Sequence, residues 1–302
     1  MVYHNPVLLS ESIDSLNILN DGIYVDLTFG GGGHSKLILD NLGNNGRLIA
    51  FDQDSDVIKN MINDSRFLFI NQNFKFLKQN LKYHSIDLVD GIFADLGVSS
   101  HQFDSADRGF SLRYDAEIDM RMNINSSLDA KEILNNYSED QLSTIFYEYS
   151  DLRNSKDIAK LIVKSRLGSK ISKTSQLNLI LKPVLPKGYE NKILAKIYQA
   201  LRIEVNQEME ALKEVLNQLP DLIKKGGVMS FITYHSVEDR IVKRFIQNGC
   251  FDDEPKKNEF GKSNLPFKKS FKFLTPSKEE IKRNIRARSA KLRSAVRIWK
   301  VT

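Results

Sequence analysis

Between residues 23 and 96 the chain alternates short apolar runs with helical patterns, and that rhythm admits few folds. Residues 23–27 read as a strand, 35–42 as a helix, 47–51 as a strand and 55–62 as a helix. A third strand at 67–71, a third helix at 74–81 and a fourth strand at 88–96 complete the series. Strands that follow one another through helices lie parallel, because a right-handed crossover returns the chain to the same edge. The expected fold class is therefore α/β, a mostly parallel sheet with helices on both faces.

The alternation then stops. Residues 106–206 read as helical with no convincing strand. Ile158, Leu161 and Ile162 mark one apolar face there, while Lys156, Lys160 and Lys164 recur every four residues on another. Such a lysine stripe is read first as a solvated face, with RNA contact as the alternative. Strand signals resume after a helix at 207–219: Gly226-Gly227 leads into an apolar run at 228–234, and a helix begins near Val237. Ser236 with Asp239 fits a capping box at that start. Residues 271–274 and 295–301 are expected to form an antiparallel hairpin at the sheet edge. The expected organisation is an α/β domain in two pieces, 1–105 and 207–302, around an all-helical insertion at 106–206, with seven strands in all.

The chain's 302 residues carry a net charge of +6, unevenly spread. Residues 256–302 hold 15 Lys/Arg against 3 acids, whereas the other 255 residues hold 29 basic and 35 acidic side chains. A basic terminus on an otherwise acidic globule favours a polyanionic partner, because neutralising phosphates releases counterions. The single cysteine, Cys250, excludes internal disulfides and zinc sites built from several cysteines. With no secretory signal and no apolar run long enough to span a bilayer, the chain reads as cytoplasmic, with no membrane contact.

The first strand runs into Asp26-Leu-Thr-Phe-Gly-Gly-Gly-Gly-His-Ser35. Four glycines between a strand and a helix allow positive φ and a close ligand approach. Asp52, 19 residues beyond Gly33 at the end of the second strand, is placed to accept the hydroxyls of an adenosine ribose. The pattern fits two cofactors. A nicotinamide dinucleotide needs a third glycine where Ser35 stands. S-adenosylmethionine instead needs an acid near the loop for its amino group, which Asp26 or Asp95 supplies, so the loop favours the sulfonium compound. Asp95, at the end of the fourth strand, points to the crevice where open α/β sheets bind ligands.

Nine segments, in one order, then resemble the bacterial small-subunit (16S) ribosomal RNA cytosine-N4 methyltransferases. They are His4-Asn-Pro-Val-Leu-Leu-Ser-Glu11, the glycine loop, Phe51-Asp52-Gln-Asp54, Asp95-Leu-Gly-Val-Ser-Ser-His-Gln102 and Arg108-Gly-Phe-Ser-Leu-Arg113. Asp119-Met-Arg-Met122, Gln199-Ala-Leu-Arg-Ile203 with Val205-Asn206 and Glu208, Tyr234-His-Ser-Val-Glu-Asp-Arg-Ile-Val-Lys243, and Arg286-Ala-Arg-Ser289 with Leu292-Arg293 complete the set. Tyr234 departs from the pattern, standing where phenylalanine is usual, and Gly31 replaces a larger residue. The resemblance implies a Rossmann-like methyltransferase using S-adenosyl-L-methionine, with Gly32, Gly33, His34, Asp52, Phe74, Asp95 and Gln102 lining the cofactor site. The partner it implies is 16S rRNA within the small ribosomal subunit.

Asp95 and His235, each ending a strand toward one crevice, are the candidate catalytic residues: Asp95 beside cofactor and amine, His235 positioning the base. His235 has an equal claim to be a structural histidine satisfied by the following helix. Two arginine groups, Arg108, Arg113 and Arg121 in the insertion and Arg286, Arg288 and Arg293 near the C-terminus, are expected to flank the RNA. Pairing of Arg121 with Asp119 is the alternative there. No metal is expected, since a sulfonium activates its methyl group unaided. Two other classes remain at this level: a nicotinamide-dependent dehydrogenase, and a non-catalytic RNA-binding ribosome-assembly factor that retains a nucleotide fold.

Overall fold

The computed structural model describes residues 6–255, 263 and 265–298. The chain divides into two compact units, one of residues 1–97 and 209–302, the other of residues 98–208. Each is taken separately.

The discontinuous unit is built on a seven-stranded sheet: β1 (Ile23–Asp26), β2 (Arg47–Phe51), β3 (Phe67–Ile70), β4 (Val89–Asp95), β5 (Ile223–Thr233), β6 (Phe267–Lys269) and β7 (Lys291–Arg297). Their order across the sheet is β3-β2-β1-β4-β5-β7-β6. β1 to β5 pair in parallel, and β7 is antiparallel to both β5 and β6. The central strands are covered on both faces, which is why Val25, Leu48, Ile49, Phe93 and Phe231 read as unbroken apolar runs. The order turns back at β1 and β4, so the tips Asp26, Asp52 and Asp95 gather where such sheets bind ligands. Gly91 on β4 is required by packing: a Cβ there would stand 2.7 Å from the fully buried Tyr24 ring.

Several elements differ from expectation. A helix α1 (Leu9–Leu16) precedes β1, and α2 (Gly33–Asn41) follows the glycine loop. The crossover at Ser55–Asn60 is a short 3-10 helix capped by Asp54, and the next is a 3-10 turn, Phe74–Phe76, leading into α3 (Leu77–Tyr83). β5 begins earlier than the apolar run, at Ile223; its register on β4 slips between Val89 and Gly91, at the point where Gly226 takes φ 84°. The expected antiparallel pair does form at the sheet edge, but from β6 and β7, a few residues earlier in each segment than expected. β7 is wedged between β5 and β6 and is buried over Leu292, Arg293, Ser294 and Ala295, whereas Leu274 makes only an isolated bridge to Leu292. Residues 299–301 of the expected hairpin lie outside the described residues.

The helical unit begins at Val98 rather than at residue 106. The first segment, α4 (Ser100–Asp104), goes with the insertion because Val98 and Phe103 pack on its core. That core is made by α5 (Ala130–Asn136), α6 (Glu139–Ser150), α7 (Ser155–Arg166), α8 (Thr174–Leu181) and α9 (Glu190–Asn206) around Phe146, Ile162, Leu177, Ile197 and Leu201. Ile158 and Ile162 of α7 point inward, and Lys156, Lys160 and Lys164 are exposed, as an amphipathic helix requires. Past α9, α10 (Glu208–Leu222) and α11 (Ser236–Asn248) flank β5, and α12 (Lys278–Arg283) precedes β7. Among the described residues no helix is long and apolar enough to cross a membrane.

Candidate active site

The glycine loop is held open by the two acids that flank it. Asp26 is fully buried, and both its oxygens are engaged: Oδ1 accepts the Thr28 N–H at 3.0 Å and Oδ2 the Ser35 hydroxyl at 2.7 Å. That ties the tip of β1 to the first turn of α2. Asp26 therefore braces the loop. Asp52 accepts the Gly30 N–H through Oδ2 and the Asp54 N–H through Oδ1, both at 2.9 Å. Each carboxylate oxygen retains a second lone pair for a ligand.

The glycines serve different ends. Gly30 and Gly32 take φ of 51° and 76°, open to glycine at little cost, and Gly32 caps α2. Gly31 is the exposed residue between them. Gly33 makes room for the chain itself, since a Cβ there would meet Pro6 Cγ at 2.3 Å. Just past it, His34 is buried against the Phe93 ring, with Nε2 3.1 Å from the Val7 carbonyl. A carbonyl can only accept, so Nε2 carries the proton. Burial pulls the imidazole down to about 4, outweighing that hydrogen bond, so the ring is neutral at pH 7. Its Nδ1 lone pair faces Asp95 Oδ2 at 4.0 Å.

Asp95 is fixed from two sides. Its backbone N–H donates to Thr28 Oγ1 at 2.7 Å, and the Tyr234 hydroxyl donates to its Oδ1 at 2.8 Å. Desolvation pushes its carboxyl up to about 7, helped by the charges of Asp26 and Glu238 and opposed by the Tyr234 hydrogen bond. Burial likewise pushes Asp26 and Asp52 up to about 6. Among the described residues no lysine or arginine pairs with any of the three. Carboxylates crowded in this way, lacking a cation of their own, favour a cationic ligand. Beside Asp52, Asn73 caps the 3-10 turn that the half-buried Phe74 opens and donates to Gln53 at 2.8 Å, which ties that turn to the residue after Asp52.

Two expected site residues, His235 and Gln102, and the expected cap of α11 turn out to be bound up in local structure. His235, not Ser236, caps α11, and Glu238 rather than Asp239 completes the box. Glu238 is buried, with Oε2 accepting the Tyr234 N–H at 2.9 Å and Oε1 2.9 Å from His235 Nε2. The His235 Nδ1 accepts the Glu238 N–H at 3.4 Å, but Nε2, although close to that carboxylate, is buried without a hydrogen bond, so the helix satisfies the imidazole only in part. Asp239 is taken by β7: Arg293 donates to it through Nε at 2.6 Å and Nη2 at 3.1 Å, and Lys291 through Nζ at 3.1 Å. Gln102 lies in the helical unit, buried, where its Oε1 accepts the Ser99 N–H in a capping box.

The arginines also sort themselves. Arg293 is buried in its ion pair with Asp239, so it is not a phosphate ligand. Arg108 is buried, donating to the carbonyls of Arg121 and Met122. Arg121 forks onto Asp119 and onto the carbonyls of Ile124 and Ser126. These pairs tie a knot around Gly109, whose missing Cβ leaves space for the Glu117 carbonyl. Arg113 and Arg288 are exposed, and Arg286 is half-buried. Charge in a sequence shows only the cation; the partners Asp119 and Asp239 appear once the chain is folded. Tyr234, Glu238 and Ser35 were not anticipated. The hydroxyl that sets Tyr234 apart from the usual phenylalanine was their one available signal.

Comparison with known proteins places this geometry. A chain from Christiangramia forsetii named "Ribosomal RNA small subunit methyltransferase H" is 57% identical over 98% of both chains. Proteins of the same name from Flavobacterium johnsoniae and Bacteroides fragilis are 55% identical over 99% of both chains and 51% identical over 97% of both. The profile of the MraW methylase family matches residues 1–298. With its glycine loop, acidic strand tips and near full-length match, the chain belongs to the MraW methylase family.

Proposed function

We propose that this methyltransferase moves a methyl group from S-adenosylmethionine to the exocyclic N4 amine of a cytidine in the decoding region of 16S rRNA, on the small ribosomal subunit or its RNA. The observation that carries the donor assignment is that three acids gather at the tips of β1, β2 and β4, while among the described residues no lysine or arginine pairs with any of them. A ligand bearing a sulfonium and an ammonium relieves that crowding; a pyrophosphate-bearing dinucleotide aggravates it. His34 Nδ1 and Asp95 Oδ2, two acceptors turned to each other at 4.0 Å, fit an ammonium group between them. Asp52 would take the ribose hydroxyls, Phe74 the adenine, and Gly32 and Gly33 allow the close approach.

Bound there, the donor supplies a methyl carbon made electrophilic by the adjacent positive sulfur. The protein's task lies with the acceptor. A cytosine N4 lone pair is delocalised into the ring, so the amine must be turned and held in line; such orientation is worth roughly 7–11 kcal/mol in favourable cases. Asp95, with a carboxyl near 7, is suited to receive the proton that N4 releases. The target base must leave its stack to reach it. Arg113, Arg286 and Arg288 are the members of the two arginine groups proposed to meet phosphates.

Calorimetric titration with S-adenosylmethionine and with NAD tests the donor. Saturable binding of the first and none of the second is expected. Binding of NAD alone would return the chain to the dehydrogenase class. Binding of neither, alongside tight RNA binding, would make it an assembly factor.

A further inference from the structure

The Tyr234 hydroxyl has no counterpart in a phenylalanine, and it is spent on Asp95, the acid at the tip of β4. Tyr234 follows β5 directly, and its ring is packed in the apolar core of the sheet unit. The hydroxyl donates to Asp95 Oδ1 at 2.8 Å, leaving Oδ2 turned to His34. Its backbone N–H is in turn held by the buried Glu238 at 2.9 Å, so neither end of the residue can drift. The ionisable groups facing Asp95 are His34 from α2, Asp26 at the tip of β1, Glu238 from α11 and Tyr234 itself. His34 is neutral, and Asp26 and Glu238 are acids that oppose a further negative charge. Tyr234 is therefore the one member of this set whose contact favours the ionised carboxylate.

We propose that Tyr234 is a positioning residue for methyl transfer: its hydroxyl fixes the Asp95 carboxylate and favours its ionised form, so that Oδ2 meets the cationic end of the methyl donor. The proposal rests on the reading of Asp95 as a donor contact. Burial holds Tyr234 well above the ordinary phenol range, so it stays a donor through the working pH range. A hydrogen bond to a charged group is typically worth about one pH unit in the carboxyl's titration. Removing it raises the Asp95 midpoint by that amount.

Tyr234→Phe tests this without disturbing the packed ring. Carboxyl-carbon NMR of the ligand-free protein should show the Asp95 titration about one unit higher in the variant. The ratio of donor dissociation constants, Tyr234→Phe over parent, cancels the ligand's own titration. It should be near one at pH 8.5 and rise toward roughly tenfold at pH 6. A merely structural role would weaken binding equally at every pH. An unmoved Asp95 midpoint overturns the proposal, and so does a moved midpoint with a flat ratio. In an Asp95→Asn background, Tyr234→Phe should lose its pH-dependent effect. If Asp95→Asn binds the donor as tightly as the parent, the reading of Asp95 itself is wrong, whatever Tyr234 does.

Discussion

Asp95→Asn is expected to make the ligand-free protein more stable while disabling it. The substitution keeps an oxygen to accept the Tyr234 hydroxyl and removes the charge. In the folded chain the carboxyl is pushed up to about 7 from an ordinary 3.8, chiefly by burial. A raised acid takes up a proton on folding, so its cost to the native state grows between about pH 4 and 7 and is constant above. Each unit is worth about 1.4 kcal/mol, which sets a ceiling of about 4 kcal/mol at pH 8. The Asp95 side chain is 23% exposed, so part of this is relieved by solvent, and a gain of roughly 2 kcal/mol is expected. For a unit of this size, that corresponds to a rise in Tm of roughly 4–8 °C. Thermal unfolding of parent and variant at pH 8 and pH 4.5 measures it. The variant should be the more stable at pH 8, with the advantage mostly gone at pH 4.5. Equal midpoints at pH 8, or a less stable variant, would refute the claim that Asp95 is a strained, unpaired acid.

Three further outcomes follow from the same geometry. Arg293→Ala takes the guanidinium fork from Asp239 and leaves it Lys291 alone, which should cost about 1–3 kcal/mol in urea unfolding, whereas Arg288→Ala, on an exposed side chain, should stay within about 0.5 kcal/mol. Arg288→Ala should also lower the salt dependence of RNA affinity by about one ion; an unchanged slope would remove Arg288 from the phosphate contacts. Gly109→Ala combines a φ of 71° with a Cβ 2.3 Å from the Glu117 carbonyl, so the inserted unit should lose about 1–3 kcal/mol, read as earlier protease cleavage within residues 98–208.

How much of this was legible in the sequence depends on the range of the interaction. The parallel strands were readable because burial on both faces leaves runs such as residues 47–51 unbroken, and Asp52 was findable from its spacing to the glycines. The helical insertion announced itself by the loss of strand signals, although its edge at Val98 was set by packing against a core that forms far along the chain. What escaped were choices between partners. Ser236 and Asp239 satisfied a local capping rule, yet β7 claimed Asp239 from 54 positions away and the cap moved one residue back. The strand β7 itself is short and carries Arg293 and Arg297 within a buried stretch, a pattern that reads as surface until Asp239 and the Pro220 and Pro266 carbonyls are seen to accept those guanidiniums. The contact between Tyr234 and Asp95 spans 139 residues, and no local rule reaches that far.

The most direct measurement supplies small ribosomal subunits lacking the modification with isotopically labelled S-adenosylmethionine and this protein, then maps the label by mass spectrometry of the digested 16S rRNA. The label should lie on a single cytidine of the decoding region, at the exocyclic nitrogen, and be absent with Asp95→Asn. Label on a ring carbon, a ribose oxygen or protein, or no transfer at all from a donor that binds, would contradict the account.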